Sequence, residues 1–144
     1  MEKVRHVLFR AGGERFALPL AAVREVVIPR PPFARVPRAG AAVRGAMNLR
    51  GRVVAVVDLA ALVGVGAEPL AAGRGQVLVL DRDRRALGLL VAQVLGVELV
   101  APGPGEVPAG LVRGVGQVGD AAVTLLDPDR VAVHAAAQFG PEPA

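Results

Sequence analysis

The side chains able to do covalent or proton-transfer chemistry are few in this chain. Its 144 residues include no Cys, Ser, Tyr or Trp, one Thr (Thr124), one Lys (Lys3) and two His (His6 and His134). Nucleophilic catalysis draws on Ser, Cys, Thr, Lys or a carboxylate beside an activating base. Thr124 instead stands in the apolar run Val123-Thr124-Leu125-Leu126, which reads as a buried strand. His6 falls in a strand-like alternation and His134 in a helical one, with no His-x-x-x-His pair and no clustered acids, so metal-ligand spacing is missing. Gly64-Val65-Gly66 lacks the following helix that a phosphate-cradling loop requires. The inventory points away from an enzyme; no catalytic residue, metal or cofactor is expected.

Recognition is the chemistry left. Residues 43–59 place the tip Asn48-Leu49-Arg50-Gly51 directly before the apolar run Val53-Val54-Ala55-Val56-Val57, which ends at Asp58. Asn48 is the sole Asn of the chain, and it stands beside a guanidinium with Gly45 and Gly51 on either side. Loops mounted on a rigid sheet often carry binding function.

The net charge of +4 comes almost entirely from Arg, scattered and often near acids. Nucleic-acid modules cluster their basic charge, and single-strand binders add aromatic platforms; four Phe are the only aromatics here. No nucleic-acid partner is expected. No signal peptide is visible after Met1, and the apolar runs fall short of the roughly 20 residues that span a bilayer, so a cytoplasmic protein with no membrane insertion is expected.

The elements that must position the tip follow from β-branched runs bounded by turn residues. Val4–Arg10 and Glu14–Pro19 flank Gly12-Gly13 as a hairpin; Arg52–Val57 is a strand, and Asp58 caps a short helix through Val63. Ala21–Val27 reads equally as a short helix or a strand entry, and Pro29–Pro37 as an irregular loop or edge strand. A connector covers Val65–Gly75. Gln76–Leu80 and Ala86–Ala92 flank the charged run from Asp81 to Arg85, which reads as a solvated turn. Val94–Val100 is a strand broken by Pro102-Gly103-Pro104-Gly105, and Leu111–Val118 with Ala121–Leu126 form a last hairpin. Asp127-Pro128-Asp129 opens a terminal helix with Val131, Ala135 and Phe139 as its apolar stripe. A shift of 69 residues lays Val43, Arg44, Gly45, Val54 and Asp58 on identical residues, and a shift of 70 does so for Val7, Leu8, Arg15 and Leu20. The chain reads as a duplicated half-domain, with halves near 1–70 and 71–137, forming small closed or half-closed barrels.

Together these residues resemble the CheW-like family, the adaptor domain of bacterial chemotaxis arrays. The resemblance runs through Val7-Leu8-Phe9, Glu14 to Leu20, Val23-Arg24-Glu25-Val26, Val43 to Leu59, Gly88-Leu89-Leu90-Val91 and Leu125-Leu126-Asp127. It implies a mainly β fold over residues 1–144: two intertwined SH3-like five-stranded barrels with short helices and a C-terminal helix. It also implies a non-enzymatic coupler, recruited to membrane receptor arrays, that joins the regulatory domain of a CheA-type histidine kinase to the cytoplasmic tip of chemoreceptors. Arg50 matches the family's Arg in the tip, Glu25 the acid of its Val-x-Glu-Val element, and Asn48, Gly45 and Gly51 the positions that shape the tip. Arg50 and Glu25 either pair across a receptor-binding groove or satisfy each other on the surface; Val23, Val26 and Leu49 are either apolar anchors for a helical hairpin or core. The chain departs from the family at Ala55, where Pro is usual, at Ala41-Ala42 and at Ala92. Those departures suit a paralogue serving another motility or developmental pathway, or a decoy that activates no kinase. A basic barrel that binds nucleic acid is the remaining alternative.

Overall fold

The computed structural model describes residues 3–66, 70, 74–82, 85–101 and 110–139. The Pro102–Gly105 break, the Asp83-Arg84 apex and part of the 65–75 connector lie outside them. The described residues form ten strands: β1 Val4–Ala11, β2 Glu14–Pro19, β3 Glu25–Val27, β4 Val43–Leu49, β5 Arg52–Asp58, β6 Gln76–Arg82, β7 Arg85–Val91, β8 Gln93–Val100, β9 Val112–Val118 and β10 Ala121–Leu126. Two α-helices, α1 Leu59–Val63 and α2 Pro128–Ala137, follow β5 and β10. Asp58 and Asp127 cap them, each through a side-chain oxygen that accepts from backbone N–H groups of the first turn.

The strands form two five-stranded sheets, ordered β8-β1-β2-β10-β9 and β3-β6-β7-β5-β4. Neither sheet is built from one half of the sequence. Replacing each strand of the first sheet by its repeat (β1 by β6, β2 by β7, β8 by β3, β10 by β5, β9 by β4) reproduces the order of the second. The directions agree as well: β2 runs parallel to β10 and β7 parallel to β5, and the other neighbours are antiparallel. Even the irregularities repeat. The β4–β5 ladder steps over Arg44 between Val43 and Gly45, and the β9–β10 ladder steps over Arg113 between Val112 and Gly114.

Strand parity explains the long apolar runs. Successive side chains point to opposite faces, and here both faces of the central strands are covered. Val7 and Phe9 of β1, Leu78 and Leu80 of β6, and Leu87 and Leu89 of β7 fill a core shared by the two sheets and α2. Their sequence neighbours point the other way. Val77, Val79 and Leu90 join Met47, Val54 and Val56 inside the second sheet, while Leu8, Ala17, Val100, Val123 and Leu125 cluster inside the first. Val131 and Ala135 of α2 are fully buried in the shared core, with Phe139 packed at its margin. Of the two His, His6 is buried in β1 with Nδ1 2.8 Å from the Val4 carbonyl, and His134 is exposed on α2.

Three readings are refined by pairing. The ambiguous 21–27 stretch becomes a 3-10 turn, Leu20–Ala22, followed by β3 against β6. Residues 43–49, whose Gly and Asn interrupt any alternation, form a full strand because β5 supplies the ladder. The Pro29–Pro37 stretch is an irregular loop that touches the sheet through one bridge, Ala34 to Ala46.

Candidate functional site

The tip is a two-residue hairpin turn. Leu49 pairs with Arg52, and Arg50 and Gly51 between them both have left-handed backbone, at φ 52° and 84°. Positive φ at both central positions matches the right-handed twist of the flanking strands. Gly suits this conformation and Arg does not. Asn48 closes the turn: its Oδ1 accepts from the Gly51 N–H at 2.7 Å. The Asn is thereby committed to shaping the tip, and the exposed group that the tip presents is the Arg50 guanidinium.

That guanidinium reaches Glu25. Arg50 Nη2 donates to both carboxylate oxygens of Glu25 at 2.5 Å. Glu25 lies on β3 and Arg50 at the end of β4, the two outer strands of one sheet. Their contact therefore spans the two edges of a curled sheet. A second bridge lies beside it. Asp81 on β6 accepts from Arg52 (Nη2 to Oδ1, 2.6 Å) and from Arg24 (Nη1 to Oδ2, 2.5 Å). Three guanidiniums, of Arg24, Arg50 and Arg52, and the Glu25 carboxylate line a depression of about 100 Å³ together with Leu49 and Val54. The Arg50 hydrogen bond holds the Glu25 carboxyl below its ordinary value, and the Arg52 hydrogen bond, then that of Arg24, does the same for Asp81. Arg50 remains two-thirds exposed while paired. Exposed ion pairs contribute little to stability, and a guanidinium this accessible retains donors for another molecule.

The expected site residues divide into three groups. Glu25, Asn48, Leu49, Arg50 and Gly51 meet at the tip. Val23 and Val26 flank Glu25 but lie on the opposite side of the sheet: Val26 is register partner to Leu78 of the shared core, and Val23 packs against that core. Val26 is nonetheless 40% exposed. Gly45 is remote from the tip, at the other end of β4, where a Cβ would lie 2.6 Å from the Ala34 carbonyl oxygen and 2.7 Å from the Phe33 Cβ. It lets the Pro-rich loop close on the sheet and does not shape the turn. Sequence reasoning passed over Arg24, Arg52 and Asp81, reading Asp81 as part of a solvated turn. The adjacency of Arg24 to Glu25 and of Arg52 to Gly51 was the available signal. Among the described residues no group of three or more His, Cys, Asp or Glu is placed to hold a metal, and no helix is long and apolar enough to cross a membrane.

With this geometry established, comparison with known proteins is decisive for the family. The model of the CheW-like domain matches residues 5–136. This chain belongs to the CheW-like family. A probable chemotaxis protein CheW of Rhizobium etli is 34% identical over 113 residues, covering 74% of this chain and 70% of that protein. Chemotaxis protein CheW of Rhizobium meliloti is 36% identical over 96 residues, covering 66% and 60%. Protein PilI of Pseudomonas aeruginosa is 34% identical over 90 residues, covering 62% of this chain and 49% of PilI, so this match spans about half of that relative. Among solved structures, the scaffolding protein TtCheW of Thermoanaerobacter tengcongensis superposes with a TM-score of 0.73 at 24% identity, over 88% of this chain and 85% of that one. The two sheets are accordingly the pair of SH3-like barrels of the CheW fold.

Proposed function

We propose that this CheW-like chain is a non-enzymatic coupler that joins the regulatory domain of a CheA-type histidine kinase to the cytoplasmic tip of chemoreceptors. The observation that carries the reading is the Arg50–Glu25 pair: an arginine held in a left-handed turn, locked by Asn48, and aimed across the barrel edge while largely solvent-exposed. The tip, with Arg50, Glu25 and Leu49, is one partner face. Val23 and Val26, on the shared-core side of β3, belong to a second. Val97 and Leu99 stand exposed on β8, the repeat of β3, with Val97 in register with core residue Val7. Apolar side chains in such a position suit helix-in-groove docking. Separate faces let one small domain hold two partners at once.

Calorimetric titration of the protein with the regulatory domain of the CheA-type kinase encoded nearest its gene tests this directly. Saturable one-to-one binding that survives moderate salt is the expected result, and Arg50→Glu is expected to weaken binding of the kinase domain or of a receptor hairpin by about tenfold or more. Absence of binding to every such kinase in the genome would sink the coupling role. The similarity to PilI supports a second reading, a CheW-like paralogue in a different pathway; binding to a kinase outside the main chemotaxis cluster, and not to the one inside it, would select that reading.

A further inference from the structure

From Val26 to Val57 the chain has six arginines and no acid. Arg44, Arg50 and Arg52 are used within the fold, on Asp58, Glu25 and Asp81. The other three, Arg30, Arg35 and Arg38, lie on the loop between β3 and β4, are exposed, and have no ion pair among the described residues.

The loop that displays them is fixed. Pro29 is buried and Phe33 packs against the core of the second barrel. Ala34 and Ala46 exchange both backbone hydrogen bonds at 2.8 Å, and Gly45 admits the loop at a distance no side chain would permit. At its far end the Gly40 N–H donates to the Gln138 carbonyl beyond α2 at 2.6 Å. Between these anchors Arg38 takes a left-handed backbone, φ 62°. Among the described residues only two non-glycine residues do so, Arg38 and Arg50. Both are exposed arginines, at positions where Gly or Asn would be the relaxed choice. Residues held in sparsely populated backbone regions cluster at binding and switch sites.

We propose that this loop is a second recognition surface, separate from the tip, that binds an acidic polypeptide segment through Arg30, Arg35 and Arg38. Guanidiniums on a preorganised backbone match the fixed, planar geometry of carboxylates. Ile28, 70% exposed at the start of the loop, offers an apolar contact beside the charges. The composition argues against other polyanions. The loop's only aromatic, Phe33, is turned into the core and offers no stacking platform. Three charges also fall short of the roughly 4–8 basic residues that typify anionic-lipid recognition.

The test is fluorescence anisotropy of a fluorescein-labelled oligoglutamate peptide titrated with the whole protein, repeated with phosphatidylglycerol vesicles. One variant carries Arg30→Gln, Arg35→Gln and Arg38→Gln. A second removes the same charge elsewhere, at the exposed Arg5, Arg15 and Arg113. The loop variant is expected to lose about tenfold in peptide affinity, and the control to stay within about twofold. Arg38→Gly, which relaxes the backbone and removes the guanidinium, is expected to weaken binding severalfold without lowering the melting temperature. Equal losses in loop variant and control, or no binding by the wild type, would overturn the proposal. Vesicle capture that depends on the loop, without peptide binding, would overturn it in favour of a lipid surface.

Discussion

The β4–β5 turn and the β9–β10 turn occupy the same place in the duplicated pattern and are built differently. In the first, Arg50 and Gly51 are left-handed, and Asn48 accepts from the turn. In the second, Gly119 (φ 59°) holds the left-handed position, and Gln117 Nε2 donates to its carbonyl at 3.1 Å. Gly relaxes one turn; Arg strains the other and puts a charge on Glu25 across the barrel edge. The opposite edges also differ, since β3 presents Glu25 where the matching part of β8 has Val94 and the bulged Leu95. The two barrels share one strand order, and the charged tip stands on one of them. The two turns differ where the ladder ends, because those positions owe least to the pairing that both barrels need.

Paired substitutions at equivalent positions sharpen or break this contrast. The largest difference is expected at the bulge glycines. Gly45→Ala would press a Cβ into the Ala34 carbonyl at φ 140°, whereas nothing lies within 4 Å of a Cβ at Gly114. Urea unfolding should show a loss of about 2–4 kcal/mol for Gly45→Ala and under about 1 kcal/mol for Gly114→Ala. The capping aspartates come next. Asp58 is 1% exposed and also accepts from Arg44 at 2.8 Å, while Asp127 is half-buried. Asp58→Ala should cost about 2–3 kcal/mol and Asp127→Ala about 1 kcal/mol by the same measurement. Transplanting the strained residue, Gly119→Arg, is expected to cost about 1 kcal/mol in the absence of a facing acid. Smaller still, Asn48→Ala removes the hydrogen bond to Gly51 and should cost about 0.5 kcal/mol, with Gln117→Ala lower again. Equal costs at any pair would show the two barrels to be less diverged than their turns suggest.

The weakest effect is on the acid limb. Glu25 and Asp81 titrate below their ordinary 4.5 and 3.8 in the folded state. Their stabilising contribution is therefore complete above those values and is lost as pH falls through the depressed ones. Glu25→Gln should leave stability at pH 7 nearly unchanged and make its decline below pH 4 shallower, as followed by denaturant titration at several pH values.

The strands with β-branched runs were legible to within a residue or two, and the caps Asp58 and Asp127 were legible outright, because propensity and local hydrogen bonding decide those. Elements created by distant pairing were not. Val43–Leu49 has no strand-like alternation of its own, and Glu25–Val27 becomes a strand only against β6. Likewise the pairing of Arg50 with Glu25 was open to reading, but the Asp81 bridge to Arg24 and Arg52 depends on how tightly the sheet curls, which no local pattern encodes. Gly45 was assigned to the tip because its partner, the Phe33–Ala34 loop, lies in a Pro-rich segment whose path cannot be read from composition.

One pairing carries a consequence for biogenesis. Phe16 of β2 and Thr124 of β10 are neighbours in a parallel ladder, so the first barrel stays open on one side until the ribosome has released almost the whole described chain. The second barrel has all five of its strands by Val91. During synthesis the second barrel can close first, and the β1–β2 hairpin must wait, with its sheet face uncovered, for β8, β9 and β10, which are translated well after it. Truncation after α1 or before β9 would therefore leave exposed sheet edges, which invite aggregation. A cell making this protein gains from any factor that shields that early hairpin.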